Sequence, residues 1–349
     1  MRNIRDCSVV VTGGAGFLGS HMVNHLVEDR GCKVVVIDNL VAGRREFIHK
    51  GAIFEYADIT GSERKLYDIF KQHQTRYVFS YAAHPYIPDS FARPLHVFNV
   101  NAMGALKVIN AAQEAGCEGI LQVSSAEIYG GGSLRFAEGR RDVAEYVPNS
   151  TDGKIDEEAP VIPHSTYGAA KAAIDALIQV RWREAKTPCI ALRQFNCVGE
   201  RETHPYVVPE IISQLAKQLP NRPDILNPAV VKLGNNSFRD FLYAGDQARI
   251  AVDLLERGDF GGVYNLGSET GVKMYDLAGL IGKVMGFADV RVEVDEVRKR
   301  PWEIWHLQSC NDKIQAATNY QRNVITPLEE ALRRTVKWFE ENGRKWCWE

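Results

Sequence analysis

The chain has 349 residues, 45% hydrophobic and 25% charged, an ordinary globular balance that is too long for one small core. A formal net charge of -2 with no basic patch excludes the electrostatic footprint of a nucleic-acid binder. No apolar run reaches the roughly 20 residues needed to cross a bilayer. The seven cysteines have no CxxC spacing, so the expectation is a reducing compartment and no metal site. A strand begins almost at once with no signal-peptide pattern, and cytoplasmic location is the expectation.

Ser8–Thr12 is a β-rich apolar run, followed by helical spacing over Phe17–Asp29 and a second apolar strand at Lys33–Asp38. Ala52–Tyr56 reads as a strand, Arg64–His73 as a helix and Tyr77–Ala82 as a strand. Pro94–Ala115 predicts one long helix and Gly119–Ser124 another strand. Apolar strands alternating with amphipathic helices predict an α/β fold: a Rossmann-type, doubly wound parallel sheet covered on both faces. Gly130–Pro163 breaks the pattern with a glycine run, a basic cluster (Arg135, Arg140, Arg141) and an acidic stretch, and reads as a long loop with little regular structure. Helix Tyr167–Glu184 and strand Cys189–Phe195 follow, and beyond Gly199 the elements shorten. The expected division is 1–194, with part of 236–264 returning to it, and a smaller C-terminal α/β lobe over 195–349.

Thr12-Gly13-Gly14-Ala15-Gly16-Phe17-Leu18-Gly19 lies between the first strand and helix. Glycines there permit a tight turn and let backbone N–H groups approach a pyrophosphate at the helix N-terminus. Asp38 ends the second strand, where a carboxylate accepts hydrogen bonds from the adenosine ribose and repels a 2′-phosphate, favouring NAD over NADP. Tyr167 and Lys171 stand one helical turn apart on one face. A neighbouring cation favours a phenolate, so Lys171 is expected to lower the pKa of Tyr167 and fit it for acid–base work. Ser124-Ser125-Ala126-Glu127 ends a parallel strand, the edge at which such sheets bind ligands.

In order and spacing, TGGAGFLGS, Asp38, Asp58, AAHPYIPDS, Asn101, SSAEIYG, YGAAK, RQFNCVG, RDFLYAGD, VYNLGS and RPWE resemble the extended short-chain dehydrogenase/reductase family, in its nucleotide-sugar epimerase and dehydratase branch. The resemblance covers nearly the whole chain. It implies NAD held by Gly13, Gly16, Phe17, Leu18, Gly19, Asp38, Asn39, Asp58, Ile59, Ala82, Ala83, Asn101, Ser124, Tyr167 and Lys171. It makes Tyr167 the base for a sugar hydroxyl, Lys171 the ligand of the nicotinamide ribose and Ser125 the bridge between sugar oxygen and Tyr167. Asn196, Arg239 and Arg300 resemble diphosphate contacts, Glu303 a ribose contact, and His84, Tyr86, Val208 and His164 residues around the substrate. Asp246 is expected to be structural.

The resemblance leaves the reaction open. Branch members oxidise the sugar, often at C4, and the ketone acidifies the adjacent C–H. C4 epimerases usually carry a small residue or Thr at the position of Glu127, whereas dTDP-glucose 4,6-dehydratases show Thr-Asp-Glu; here Ser125-Ala126-Glu127 keeps the Glu and lacks the Asp. A UDP-, GDP- or dTDP-sugar 4,6-dehydratase with Glu127 taking the C5 proton is the first expectation. A UDP-sugar C4 epimerase is the second and a UDP-glucuronate decarboxylase, using the arginines of 130–163, the third. An NAD-binding regulatory or scaffold protein would predict damage to Ser125, Tyr167 or Lys171, and all three are intact. The resemblance also implies a homodimer through a four-helix bundle of Pro94–Ala115 and Tyr167–Glu184. Val97, Ala105, Ile109, Ile174 and Leu177 either form that outer face or face the sheet.

Overall fold

Valine runs build the centre of the molecule. The computed structural model describes residues 2–130, 134–136, 144–146, 153–203, 206–219, 228–299, 303–318 and 320–342. In chain order its first half is β1 (Ser8–Thr12), α1 (Phe17–Glu28), β2 (Lys33–Asp38), β3 (Ile53–Tyr56), α2 (Glu63–Gln72), β4 (Tyr77–Ser80), α3 (Ile87–Ala92), α4 (Pro94–Phe98), α5 (Ala105–Ala115), β5 (Gly119–Ser125), β6 (Leu134–Phe136), β7 (Ala144–Tyr146), α6 (Thr166–Ala185) and β8 (Cys189–Gln194). The second half is β9 (Asn196–Val198), α7 (Val207–Ala216), β10 (Ala229–Leu233), β11 (Phe238–Tyr243), α8 (Ala244–Arg257), β12 (Val263–Leu266), β13 (Gly271–Lys273), α9 (Met274–Val284), β14 (Val290–Val294), β15 (His306–Leu307), α10 (Asp312–Thr318) and α11 (Leu328–Asn342).

The main sheet runs β3-β2-β1-β4-β5-β8-β12, and its neighbours pair in parallel. Side chains alternate faces along each strand. Val9, Val11, Val34 and Val36 pack with Met22 and Leu26 of α1 and Ala248 and Leu255 of α8. Val10, Val35 and Ile37 pack on the other face with Leu66 and Phe70 of α2, Val108 and Ile109 of α5 and Ile174 of α6. Strand order reverses between β1 and β4, and in register Thr12 lies opposite both Ile37 and Ser80. Thr12, Asp38, Ser80 and Ser125 therefore end their strands along one edge, where a doubly wound sheet opens a crevice.

Two smaller sheets belong to the second half: β10 with β14, and β11 with β9, β13 and β15. Val208, Ile211, Val231, Leu277, Leu332 and Phe339 form their separate core. Among the described residues no helix is long and apolar enough to cross a membrane.

Three local readings change. The predicted helix 94–115 is α4, a π-helical stretch over Asn99–Gly104, and α5. The structure turns Asn101 inward there, 1% exposed, onto the loop after β4. α3, unread in the sequence, starts with Pro88 in its first turn, where a missing N–H costs no helical bond. The 130–163 segment contains an antiparallel hairpin of β6 and β7, more order than expected. The alternative over the two long helices also resolves: Val97, Ala105, Ile109 and Ile174 are fully buried, and Leu177 packs against the sheet-side core. Leu95 (87% exposed), Phe98, Met103 and Val180 stand outward instead.

Candidate active site

The β1–α1 turn has the form of an anion cradle. Gly13 adopts φ +71°, and a Cβ there would lie 2.6 Å from the Ala82 backbone nitrogen. A Cβ on Gly19 would overlap the Gly13 carbonyl oxygen, so neither position tolerates a side chain. Gly16 caps α1 with no side-chain hydrogen bond, and the first turn, with Phe17 and Leu18, holds no acidic residue. The N–H groups of that turn and the positive end of the helix dipole suit a pyrophosphate. Asp38 is buried beside the turn, where its Oδ2 accepts from Ala15 N at 3.1 Å and its Oδ1 from Leu40 N at 2.8 Å. Burial raises its carboxyl above the ordinary value and these N–H groups oppose the shift. A carboxylate has about four acceptor sites, so capacity for ribose hydroxyls remains. Asn39 donates to Asp58 Oδ2 at 2.9 Å, and Asp58 also accepts from Thr60, joining the segments that follow β2 and β3. Ile59 is buried beside them, and Ala82 and Ala83 follow β4 at the same edge. These residues fit a dinucleotide.

Ser125, Tyr167, Lys171 and Glu127 converge at the end of β5. Ser125 caps a single 3-10 turn over Ala126–Ile128, its Oγ accepting from Glu127 N at 3.2 Å. Ser165 caps α6 by accepting from Gly168 N at 3.1 Å, which sets where Tyr167 emerges. A Cβ on Gly168 would stand 2.9 Å from the Glu127 carbonyl oxygen, so glycine lets α6 lie directly on that turn. Tyr167 is buried, hydrogen-bonds Ser125 and feels the Glu127 charge.

The expectation that Lys171 lowers the pKa of Tyr167 is not met. Burial pushes Tyr167 up to about 12, with the Ser125 hydrogen bond opposing and Glu127 adding to the rise. The Lys171 ammonium instead donates to Val123 O at 2.9 Å, 5.9 Å from the Tyr167 ring centre. Burial pulls Lys171 down to about 8, against the opposing charge of Asp175. Asp175 follows Lys171 by four residues on α6 and accepts from Arg193 Nε at 2.7 Å. Arg193 in turn donates to the Tyr129 hydroxyl, which donates to Asn265. Sequence reasoning missed this buried support. The i,i+4 spacing of Lys171 and Asp175 was its only local signal. Ser124 is buried at 2% exposure beside it.

The substrate-side residues separate into groups. His84 Nε2 lies 2.8 Å from Asp89 Oδ2, and the Asn101 amide bonds both backbone polar groups of His84. Asn101 thus holds the loop after β4. Tyr86 meets Tyr206 edge-on, ring centres 6.4 Å apart. Burial lowers the pKa of His164, which favours its neutral form. Asn196 begins β9 opposite Phe241 of β11. Arg239 on β11 donates to Glu303 Oε1 at 2.7 Å, and Glu303 Oε2 accepts from Asn235 at 2.7 Å. Asp246 accepts from Thr326 N at 2.7 Å, consistent with a structural role. The Val208 side chain is fully enclosed in the second core, which leaves its backbone as the part able to meet a ligand. Arg300, Arg140 and Arg141 lie outside the described residues, as does the side chain of Arg135. Tyr206 was missed, because its place against Tyr86 depends on how the chain turns after β9.

Residues 9–267 match the NAD dependent epimerase/dehydratase family. The chain is 29% identical over 353 residues to the dTDP-D-glucose 4,6-dehydratase of Mus musculus, covering 97% of this chain and 90% of that protein. It is similar to the solved UDP-N-acetylglucosamine 4-epimerase from Methanobrevibacter ruminantium M1 in complex with UDP-N-acetylmuramic acid, with a TM-score of 0.79, 28% identity and coverage of 97% and 99%. The Thermus thermophilus UDP-glucose 4-epimerase in complex with NAD aligns with a TM-score of 0.76, 26% identity and coverage of 95% and 99%.

Proposed function

This chain belongs to the NAD dependent epimerase/dehydratase family, and we propose that it catalyses NAD-dependent 4,6-dehydration of a hexose carried on a nucleoside diphosphate. The observation carrying this reading is Glu127, a carboxylate two residues after Ser125 in the turn that Ser125 caps, and near enough to Tyr167 to bear on its ionisation. NAD held by the glycine turn and Asp38 would supply the hydride acceptor and donor that this chemistry needs. Tyr167 takes the C4 hydroxyl proton, Ser125 hydrogen-bonds the same oxygen, and Lys171 holds positive charge at that site. The C4 ketone acidifies C5–H, and Glu127 removes that proton as the C6 hydroxyl leaves. Arg239, organised by Glu303, supplies charge for the diphosphate. In this reading residues 1–194, with part of 236–264, bind NAD and 195–349 mainly bind the nucleotide sugar. The return of β12 to the main sheet supports that division.

A UDP-sugar C4 epimerase is the second reading. Ala126, buried at 2% exposure, offers no proton where an acid for the leaving hydroxyl is expected. We further propose a homodimer through a four-helix bundle of the Pro94–Ala115 segment and α6, supported by outward Leu95, Phe98, Met103 and Val180. The test is incubation with NAD and dTDP-glucose, UDP-glucose, UDP-N-acetylglucosamine, GDP-mannose or UDP-glucuronate, with products read by NMR. A 4-keto-6-deoxy sugar supports dehydration. Epimers alone assign the epimerase, and carbon dioxide from UDP-glucuronate the decarboxylase. No reaction with any of them overturns the proposal.

A further inference from the structure

Cys7 and Cys32 enter the first two strands of the main sheet side by side. Ser8 pairs with Lys33 in parallel register, so the residues just before them stand opposite each other. Lys33 N donates to Cys7 O at 3.0 Å and Asp6 N to Arg30 O at 3.1 Å, which carries the pairing past both cysteines. The two chains close tightly there. Asp6 and Gly31 adopt φ of +51° and +65°, and a Cβ on Gly31 would lie 2.5 Å from Asp6 Oδ1. Neighbouring strands run about 4.8 Å apart, within the roughly 4.4–6.8 Å of Cα separation that a disulfide spans.

Side-chain direction agrees with the register. Cys7, Val9 and Val11 share one face of the sheet with Cys32, Val34 and Val36, and all pack in one core, whereas Val10 and Val35 pack in the other. Cys32 Sγ reaches the Ile4 carbonyl oxygen at 3.8 Å, on the segment that leads into Cys7. Both cysteines are free and buried, at 7% and 6% exposure, while Arg5, Asp6, Gly31 and Lys33 beside them are exposed. The pair thus sits under a thin cover, within reach of a small oxidant. Hydrogen bonding from Cys7 draws the Cys32 thiol down to about 7 against burial, and the Cys7 thiol moves up. Burial pushes Cys117 up to about 12, and Cys189 and Cys197 well above the ordinary thiol value. The thiolate is the reactive form, so Cys32 is the first of these sulfurs to react.

We propose that Cys7 and Cys32 are a modification site, which hydrogen peroxide converts to a disulfide stapling the β1–α1–β2 unit and a dithiol reductant restores. The Cys32 thiolate attacks the peroxide O–O bond and becomes a sulfenic acid, releasing hydroxide. The Cys7 sulfur gives up its proton and attacks the Cys32 sulfur, and the sulfenic oxygen leaves as the second hydroxide. The two thiol protons convert both hydroxides to water. The sulfurs lose two electrons and the peroxide oxygens gain them. The new bond closes residues 7–32, which hold the glycine turn and α1. It lies at the amino ends of β1 and β2, while Thr12 and Asp38 end those strands at the opposite edge, so the ligand crevice keeps its form. Its effect falls on unfolding, because a tied chain has fewer unfolded conformations.

The test treats the full-length protein with hydrogen peroxide, blocks free thiols with N-ethylmaleimide and digests without reduction. Trypsin cuts after Arg5, Arg30 and Lys33, so mass spectrometry should find peptides 6–30 and 31–33 joined, two hydrogens lighter than the separate pair. Dithiothreitol should separate them. Oxidation should also raise the urea midpoint by about 1 M, and Cys7→Ser should abolish both the joined peptide and the shift. Free or sulfinic Cys32 after treatment, Cys7 joined to another cysteine, or a joined pair with an unchanged midpoint overturns the inference. The measurement needs no sugar, so its outcome is separate from that of the dehydratase reading.

Discussion

Arg239 Nη2 stands 2.7 Å from Glu303 Oε1, with both side chains buried and the two residues 64 positions apart in the chain. Two charges removed from water hold each other in place, and deleting one takes a close buried partner from the other. Glu303→Ala should therefore destabilise the protein by about 3 kcal/mol in urea unfolding. It should also weaken binding of UDP or dTDP in calorimetry, because the guanidinium loses its fixed orientation. Unchanged stability would remove the pair from the architecture of the second lobe.

Glu127→Gln keeps the shape of the side chain and removes its basicity. The expected outcome is normal NAD reduction on mixing with substrate and loss of C5 deuterium exchange, with dehydration slowed by about 100-fold or more. Unchanged dehydration would take Glu127 out of the reaction.

Lys171 titrates near 8 in the folded protein against an ordinary 10.5. Between these values the unfolded chain binds more protons, so this residue makes stability rise with pH across that window. Activity should move the opposite way, falling above pH ~8 as the ammonium is lost. Lys171→Arg stays charged and should abolish that alkaline limb in a pH–rate profile, whatever its effect on the maximum rate.

Gly168→Ala tests the contact that seats α6 on the Glu127 turn. The new methyl would lie 2.9 Å from Glu127 O and 3.0 Å from Pro163 Cβ. Relief requires the helix to shift, at about 1–3 kcal/mol of stability. Displacing Tyr167 from Ser125 should lower kcat on the order of 100-fold while leaving NAD affinity, set by the distant glycine turn, close to normal. A variant with normal kcat would show that the turn and helix adjust without consequence.

The readable parts of the site were those in which structure and chemistry share a few residues of chain. β1 and β2 match their predicted bounds because valine runs prefer extended backbone and fill both faces of a covered sheet. Tyr167 and Lys171 emerge together because four residues make about one helical turn. The 94–115 segment was harder, since its helical period is genuine but a period does not say where a π-helical stretch widens the turn. The charge state of Tyr167 was misjudged for a related reason. Spacing places a cation nearby, but burial, which the spacing does not contain, dominates its ionisation.

From sequence alone came the glycine cradle, the acidic end of β2, the Ser125–Tyr167–Lys171 set and the alternating strands and helices. Each is specified by local sterics, by helix or strand period, or by motif order. Tertiary structure decided which faces of α5 and α6 meet the sheet, that Arg239 is tied to Glu303, that Val208 belongs to a core, and that Glu202 is buried. Those outcomes depend on which distant segment covers a side chain and excludes water from it, and no short window of sequence carries that information.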